Sequence, residues 1–145
     1  MSNPPLRTDY PVFRALATRW MDNDHYGHIN NVAYYSFFDT AVNGWLMDAT
    51  GVDIRTLPAI GLVVETGCRY FKPLSFPDAL EVGLGIERLG TSSITYRLAI
   101  FRAGEDSAAA AGRFVHVYVD AQTRQATAIP DVIRAAAQAL REPIR

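Results

Sequence analysis

Residues 22–31 read DNDHYGHINN, which brings Asp22, Asp24, His25, His28, Asn30 and Asn31 together immediately before an apolar run. Four readings of such a set can be weighed. A calcium loop would use Asp22, Asp24, Gly27 and Ile29 at its first, third, sixth and eighth positions. Its twelfth position requires a bidentate glutamate, and this chain has Ala33 there, so that reading fails. Zinc could take His25 and His28 with Asp22 or Asp24, but a third strong ligand would have to come from afar, and His116 is the only other histidine. A plain polar turn accounts for Gly27 and Asn30, because Asx and Gly residues satisfy turn and cap geometry for backbone reasons alone. It accounts less well for Asp24 and His28, which this reading sets beside the buried start of a helix, where an idle carboxylate is costly. The fourth reading is acyl transfer. The first N–H groups of a helix are unpaired and sit at the positive end of its dipole, where they can polarise a carbonyl. A carboxylate a few residues upstream can attack that carbonyl or activate a water.

The elements around this stretch are legible as patterns. Residues 31–50 predict one long helix, with Asn30 as its N-cap and Gly51 where a left-handed C-terminal cap falls. Val32, Ala33, Tyr34, Tyr35, Phe37, Phe38, Ala41, Val42, Trp45 and Leu46 leave only a narrow polar stripe of Ser36, Asp39, Thr40 and Asn43. A helix apolar over most of its circumference must be wrapped rather than merely flanked. Residues 11–20, 62–72, 78–88, 93–102 and 112–119 predict strands, the third and fourth by clear alternation of apolar and polar residues. The short connections PLSFP, LGTS and AGED predict that the last four strands form a meander of antiparallel neighbours. Residues 131–140 predict a terminal helix with Pro130 near its first turn, and residues 1–6 are expected to be loose. The fold class is α+β, a five-stranded antiparallel sheet around one central helix, in a single domain over 1–145 with its core at about 11–140.

Composition narrows the function classes. Fourteen basic residues face fifteen acidic ones, which argues against a dedicated nucleic-acid binder. A lone cysteine, Cys68, rules out an internal disulfide and a thiolate metal cluster. The N-terminus lacks a signal-peptide layout and no apolar run reaches membrane-spanning length, so a cytoplasmic protein without membrane partners is expected.

The central stretch resembles the signature of the 4-hydroxybenzoyl-CoA thioesterase family of hot-dog acyl-CoA thioesterases. The matching residues are Asp22, Asp24, Gly27, His28, Ile29, Asn30 and Asn31, then Tyr34 and Asp39. Downstream, Tyr70, Pro73, Asp78, Leu80 and Val82, and the run Gly90-Thr91-Ser92-Ser93, resemble that family's second strand and following hairpin. The match runs from about Pro11 to Leu140. The resemblance implies that Asp24 is catalytic, as nucleophile or general base, and that the backbone N–H at Asn31 polarises the thioester carbonyl. His28 and Asn30 match a variant also similar to plant acyl-carrier-protein thioesterases. Those have an Asn two residues after the Asp, where this chain has Tyr26. The resemblance also implies an acyl-CoA substrate, no cofactor beyond the coenzyme A of that substrate, and a homodimer or homotetramer with sites between protomers.

The expected site is therefore Asp24, Asn31 and His28 for catalysis, with Tyr26, Asn30, Tyr34, Glu65, Arg69 and Lys72 for substrate. Arg88, Arg97 and Arg102 are further candidates for nucleotide phosphates, although for each of these, and for Arg69 and Lys72, a solvated strand face is the better reading taken singly. Asp39 is expected to be structural, Cys68 and His116 to be packed in the sheet, and Phe37 and Phe38 to be core first. Two rivals stand beside the thioesterase: a hydratase or dehydratase on the same scaffold, and a non-catalytic acyl-CoA-binding module.

Overall fold

The computed structural model describes residues 3–141. Five strands, β1 (Val12–Ala17), β2 (Ala59–Tyr70), β3 (Ala79–Leu89), β4 (Ser93–Arg102) and β5 (Ala110–Asp120), form one antiparallel sheet. Two helices, α1 (Asn31–Thr50) and α2 (Asp131–Arg141), pack with it. Helix α1 begins and ends where its caps require. The Asn30 side-chain oxygen accepts the Val32 N–H at 3.0 Å, and Gly51 closes the last turn at φ 70°, a conformation that a Cβ would strain.

Strand order is β1-β3-β4-β5-β2. The meander is thus β3-β4-β5 only. Strand β2 pairs along β5, from Ala59 opposite Asp120 to Tyr70 opposite Ala110, and is not a neighbour of β3. The connection from β2 to β3 was expected to be a simple hairpin. It instead crosses from one edge of the sheet to β3. Its backbone is held to the polar stretch on the way: the Ile29 N–H donates to the Leu74 carbonyl at 2.7 Å, and the Phe76 N–H to Asn23 Oδ1 at 3.0 Å. Those bonds replace the ladder that a hairpin would have supplied.

Inward-facing Leu80, Val82, Leu84, Ile94, Tyr96, Leu98 and Ile100 are buried against Phe38, Ala41, Val42 and Leu46 of α1. Burial of each large apolar side chain contributes about 1.5–3 kcal/mol, which makes this contact the main stabilising layer. The helix lies so close to β5 that a Cβ on Gly112 would press into the Phe38 ring and sit 2.7 Å from the Gly67 carbonyl oxygen. Val32, counted with the apolar surface of the helix, is instead 70% exposed at its first turn. On the opposite face of the sheet a smaller cluster joins Phe101, Ala99 and Ala108 to Tyr10 and Phe13.

Two details depart from expectation. Residues 3–6 belong to a strap rather than a loose tail: the Ala108 N–H donates to the Pro5 carbonyl at 2.9 Å, and Leu6 bridges Ser107. The strap continues into Arg7, which donates to the Glu105 carbonyl at 2.9 Å. Residues 1 and 2 lie outside the described residues. In β2, a bulge falls between Val63, opposite His116, and Glu65, opposite Val115. One extra residue reverses which face the following side chains occupy. Among the described residues no helix is long and apolar enough to cross a membrane.

Candidate active site

The polar stretch folds into a closed turn. The Asp24 N–H donates to the His28 carbonyl at 2.8 Å, and Gly27 takes φ 84° to let the chain reverse. Within it the Asp24 carboxylate is fixed through one oxygen. Oδ1 accepts the Tyr26 N–H at 2.9 Å and the His28 N–H at 3.3 Å. That leaves Oδ2 for chemistry. The buried carboxylate of the stretch is Asp22, not Asp24. Asp22 accepts the Arg19 N–H and the Arg19 guanidinium, each at 2.8 Å, and its own carbonyl accepts the Asn30 N–H at 2.8 Å. Asp22 therefore pins the turn to the segment before it.

Immediately after the turn comes the N-terminus of α1. The Val32 N–H goes to the Asn30 cap and the Ala33 N–H to the Asn30 carbonyl, which leaves the Asn31 N–H unpaired among the described residues. No acidic side chain lies in the first turn, so nothing within it neutralises the positive end of the dipole.

These groups share one pocket of about 650 Å³. Asp24, His25, His28, Asn30, Asn31 and Tyr34 line one side, and Tyr70, Phe71, Lys72 and Pro73 line the other. The second wall is the end of β2 and the start of its crossing to β3. The unexpected strand order is therefore what completes the site. The Tyr70 hydroxyl donates to the Asn31 carbonyl at 3.1 Å, and the Tyr34 and Tyr70 rings meet edge to face at 4.9 Å. Burial, reinforced by the neighbouring Cys68, pushes the Tyr34 phenol up to about 12, and burial pushes the Cys68 thiol up to about 11. Both stay protonated at neutral pH; Tyr34 lines the pocket, whereas Cys68 packs against the core and is not one of its lining residues.

Of the residues expected from sequence, Asp24, His28, Asn30, Asn31, Tyr34 and Lys72 come together here. Three do not. Tyr26 points outward, 76% exposed, with its ring 4.0 Å from that of His25. Glu65 lies beyond the β2 bulge, on the sheet face away from α1, where it pairs with Arg113 at 2.6 Å. Unbroken alternation from Val63 would have turned it inward. Arg69 lies on the same outer face as Glu65, beside a shallow depression shared with Arg113. Lys72 is tied to Glu105 at 2.8 Å and to Ser107 at 3.2 Å. Of the further phosphate candidates, Arg102 is held by Asp78 and Glu105, and Arg97 donates to the Asp9 carbonyl. Tyr70, Phe71 and Pro73 were not expected as site residues. The spacing of Tyr70 and Pro73 was visible, but their approach to Asp24 depends on the crossing. Among the described residues, no three His, Cys, Asp or Glu side chains are grouped to hold a metal ion.

Residues 18–137 match the family model described as the thioesterase-like superfamily. The fold is similar to that of the PA5185 protein from Pseudomonas aeruginosa, 50% identical, with TM-score 0.93 over 98% of this chain and 99% of that one. It is also similar to the PA2801 protein of the same organism, which carries a provisional thioesterase assignment. That protein is 31% identical, with TM-score 0.78 over 86% of this chain and 95% of its own. A 1,4-dihydroxy-2-naphthoyl-CoA thioesterase from Synechocystis shares the fold at 17% identity, with TM-score 0.81 over 90% of this chain and 98% of that one.

Proposed function

This chain belongs to the thioesterase-like superfamily, and from that premise we propose that it hydrolyses acyl-CoA thioesters in the manner of the 4-hydroxybenzoyl-CoA thioesterase family. The observation that supports the reading is that Asp24 and Asn31, the first residue of α1, line one pocket. A thioester carbonyl set against the start of α1 accepts the Asn31 N–H and feels the positive end of the dipole, which stabilises the oxyanion as it forms. Asp24 then acts through Oδ2. As general base it takes a proton from water while the water oxygen bonds to the carbonyl carbon. As nucleophile it forms a mixed anhydride that water opens. In both routes the tetrahedral intermediate collapses with loss of the coenzyme A thiolate, and one water is consumed per free acid released. His28 and Asn30 hold the turn and the cap, and Tyr34 and Tyr70 wall the acyl side. Lys72 is the cation that lines the pocket, and it meets the nucleotide portion only by exchanging its pairing with Glu105 for a phosphate. The substrate is the sole source of coenzyme A, and the reaction as drawn uses no metal or redox group. A second copy of the chain is expected to complete the site.

The test is thiol release over a panel of short, branched, long and aromatic acyl-CoAs. Turnover of at least one is expected, with Asp24→Asn and Asp24→Ala lowering kcat at least about 100-fold while the far-ultraviolet dichroism is unchanged. Full activity in both variants overturns the role of Asp24. Binding of acyl-CoA without any thiol release favours the non-catalytic module. Single turnovers in heavy-oxygen water separate base from nucleophile.

A further inference from the structure

A second cleft, which shares no lining residue with the catalytic pocket, opens between the middle of α1, α2 and the start of β2. Asn43 and Leu46 of α1, Ile133 of α2, Gly61 of β2, and His116 and Tyr118 of β5 line it, around about 160 Å³. His116 is only 2% exposed, and its Nδ1 has no hydrogen-bond partner among the described residues. Buried polar atoms are nearly always paired, with protein or with ordered water, so an orphan beside a cleft leaves a bonding position that a molecule entering the cleft can fill. Gly61 keeps the imidazole open: a Cβ there would lie 3.2 Å from Nδ1 and 3.2 Å from the Tyr118 ring. Size and polarity then narrow the partner. An apolar cavity of about 150 Å³ holds one benzene ring, so a single six-membered ring fits. Burial lowers the His116 pKa to about 4, and the imidazole is neutral at ordinary pH. A neutral imidazole offers one donor and one acceptor, and a hydroxyl can satisfy either. The nearest cation at the rim, Arg55, is already paired with Asp53 at 2.8 Å, which leaves little to hold a carboxylate.

We propose that this cleft is a second ligand site, which takes an uncharged, ring-sized molecule carrying one hydroxyl. The hydroxyl bonds to the His116 imidazole and the ring lies against Leu46 and Ile133. The site does not depend on the hydrolytic reading, and its test does not use turnover.

The probes are cyclohexanol and cyclohexane, followed by long-range proton–nitrogen spectra of the three histidine rings of the intact protein. Cyclohexanol is expected to move the His116 nitrogens and leave those of His25 and His28 in place. Cyclohexane is expected to bind about fivefold more weakly, the worth of one net hydrogen bond. Gly61→Ala is expected to abolish both titrations, and His116→Leu to equalise the two affinities measured by ligand-observed relaxation. Equal affinity of the two probes for the unsubstituted protein overturns the proposal, and this arm needs no variant to fold. Shifts confined to His25 and His28, or cyclohexanol binding unchanged by Gly61→Ala, overturn it as well.

Discussion

Asp22 and Asp24 differ by two positions and occupy opposite regimes. Asp22 is buried and saturated by Arg19, whereas Asp24 keeps one oxygen free at a pocket. The sequence made Asp24 the candidate for chemistry and Asp22 a shaper of the turn, and the bonds of Asp22 to Arg19 and Asn30 do tie the turn in place. It placed the burial on the wrong partner, since only the folded turn decides which carboxylate meets the guanidinium. His116 was legible as a packed residue and not as one with an unpartnered nitrogen, because orphaned atoms are a property of neighbours. Its titration gives a prediction at this scale. Burial lowers its pKa from 6.5 to about 4, although the negative charge of Asp39 works against the shift. The unfolded chain therefore binds the extra proton first. Stability from the neutral imidazole is complete above the unfolded value and is lost as pH falls from about 6.5 towards 4. Urea unfolding is expected to show about 2 kcal/mol less stability at pH 5 than at pH 7 from this residue. His116→Leu should flatten that part of the profile. An identical pH slope in the variant would mean that the imidazole is not held neutral.

At the scale of elements, α1 was readable to the residue because its caps are local. Asn30 and Gly51 act on backbone groups within a turn, and the bounds of 31–50 follow from them. Strand pairing was not readable in the same way. The segment between β2 and β3 is short enough for a hairpin, and nothing local reveals that β2 finds β5 instead. The β2 bulge was equally invisible and sent Glu65 to the other face. Two substitutions test the local and the tertiary contributions separately. Asn30→Ala removes the cap and is expected to cost about 1 kcal/mol in chemical denaturation. It should also lower kcat/KM, because the turn that presents the Asn31 N–H is loosened. Gly112→Ala drives a methyl into Phe38 and is expected to cost about 1–3 kcal/mol, as overpacking of a tight core does. A neutral Gly112→Ala would show that α1 can shift outward, and the contact would then not fix the position of the pocket.

At the scale of the whole molecule, the feature with the widest consequence is the open edge of β2. This strand is 12 residues long and pairs on one side only. Along its middle Leu62, Val63 and Val64 are 39%, 45% and 59% exposed. A long apolar edge invites another strand, and a protein that stays in solution must cover or blunt it. No charge or proline blunts this one between Leu62 and Val64. A twofold pairing of β2 with β2 of a second copy would cover it, and the geometry of such a pairing has a consequence. Antiparallel strands related by a dyad near their centre place the Ala59 end of one beside the Tyr70 end of the other. The cleft at Gly61 and His116 of one copy would then approach the pocket at Tyr70 and Asp24 of its mate. Oligomeric state and turnover should therefore fall together, while the cleft itself survives in each chain. Leu62→Lys combined with Val64→Lys, which leaves Val63 opposite His116 untouched, is expected to give monomers by light scattering, with kcat/KM reduced at least about tenfold, a loss of roughly 1.4 kcal/mol in transition-state binding. The cyclohexanol shift at His116 should persist in those monomers. A folded monomer with full turnover would place the complete site within one chain, and the exposed edge would then need a different occupant.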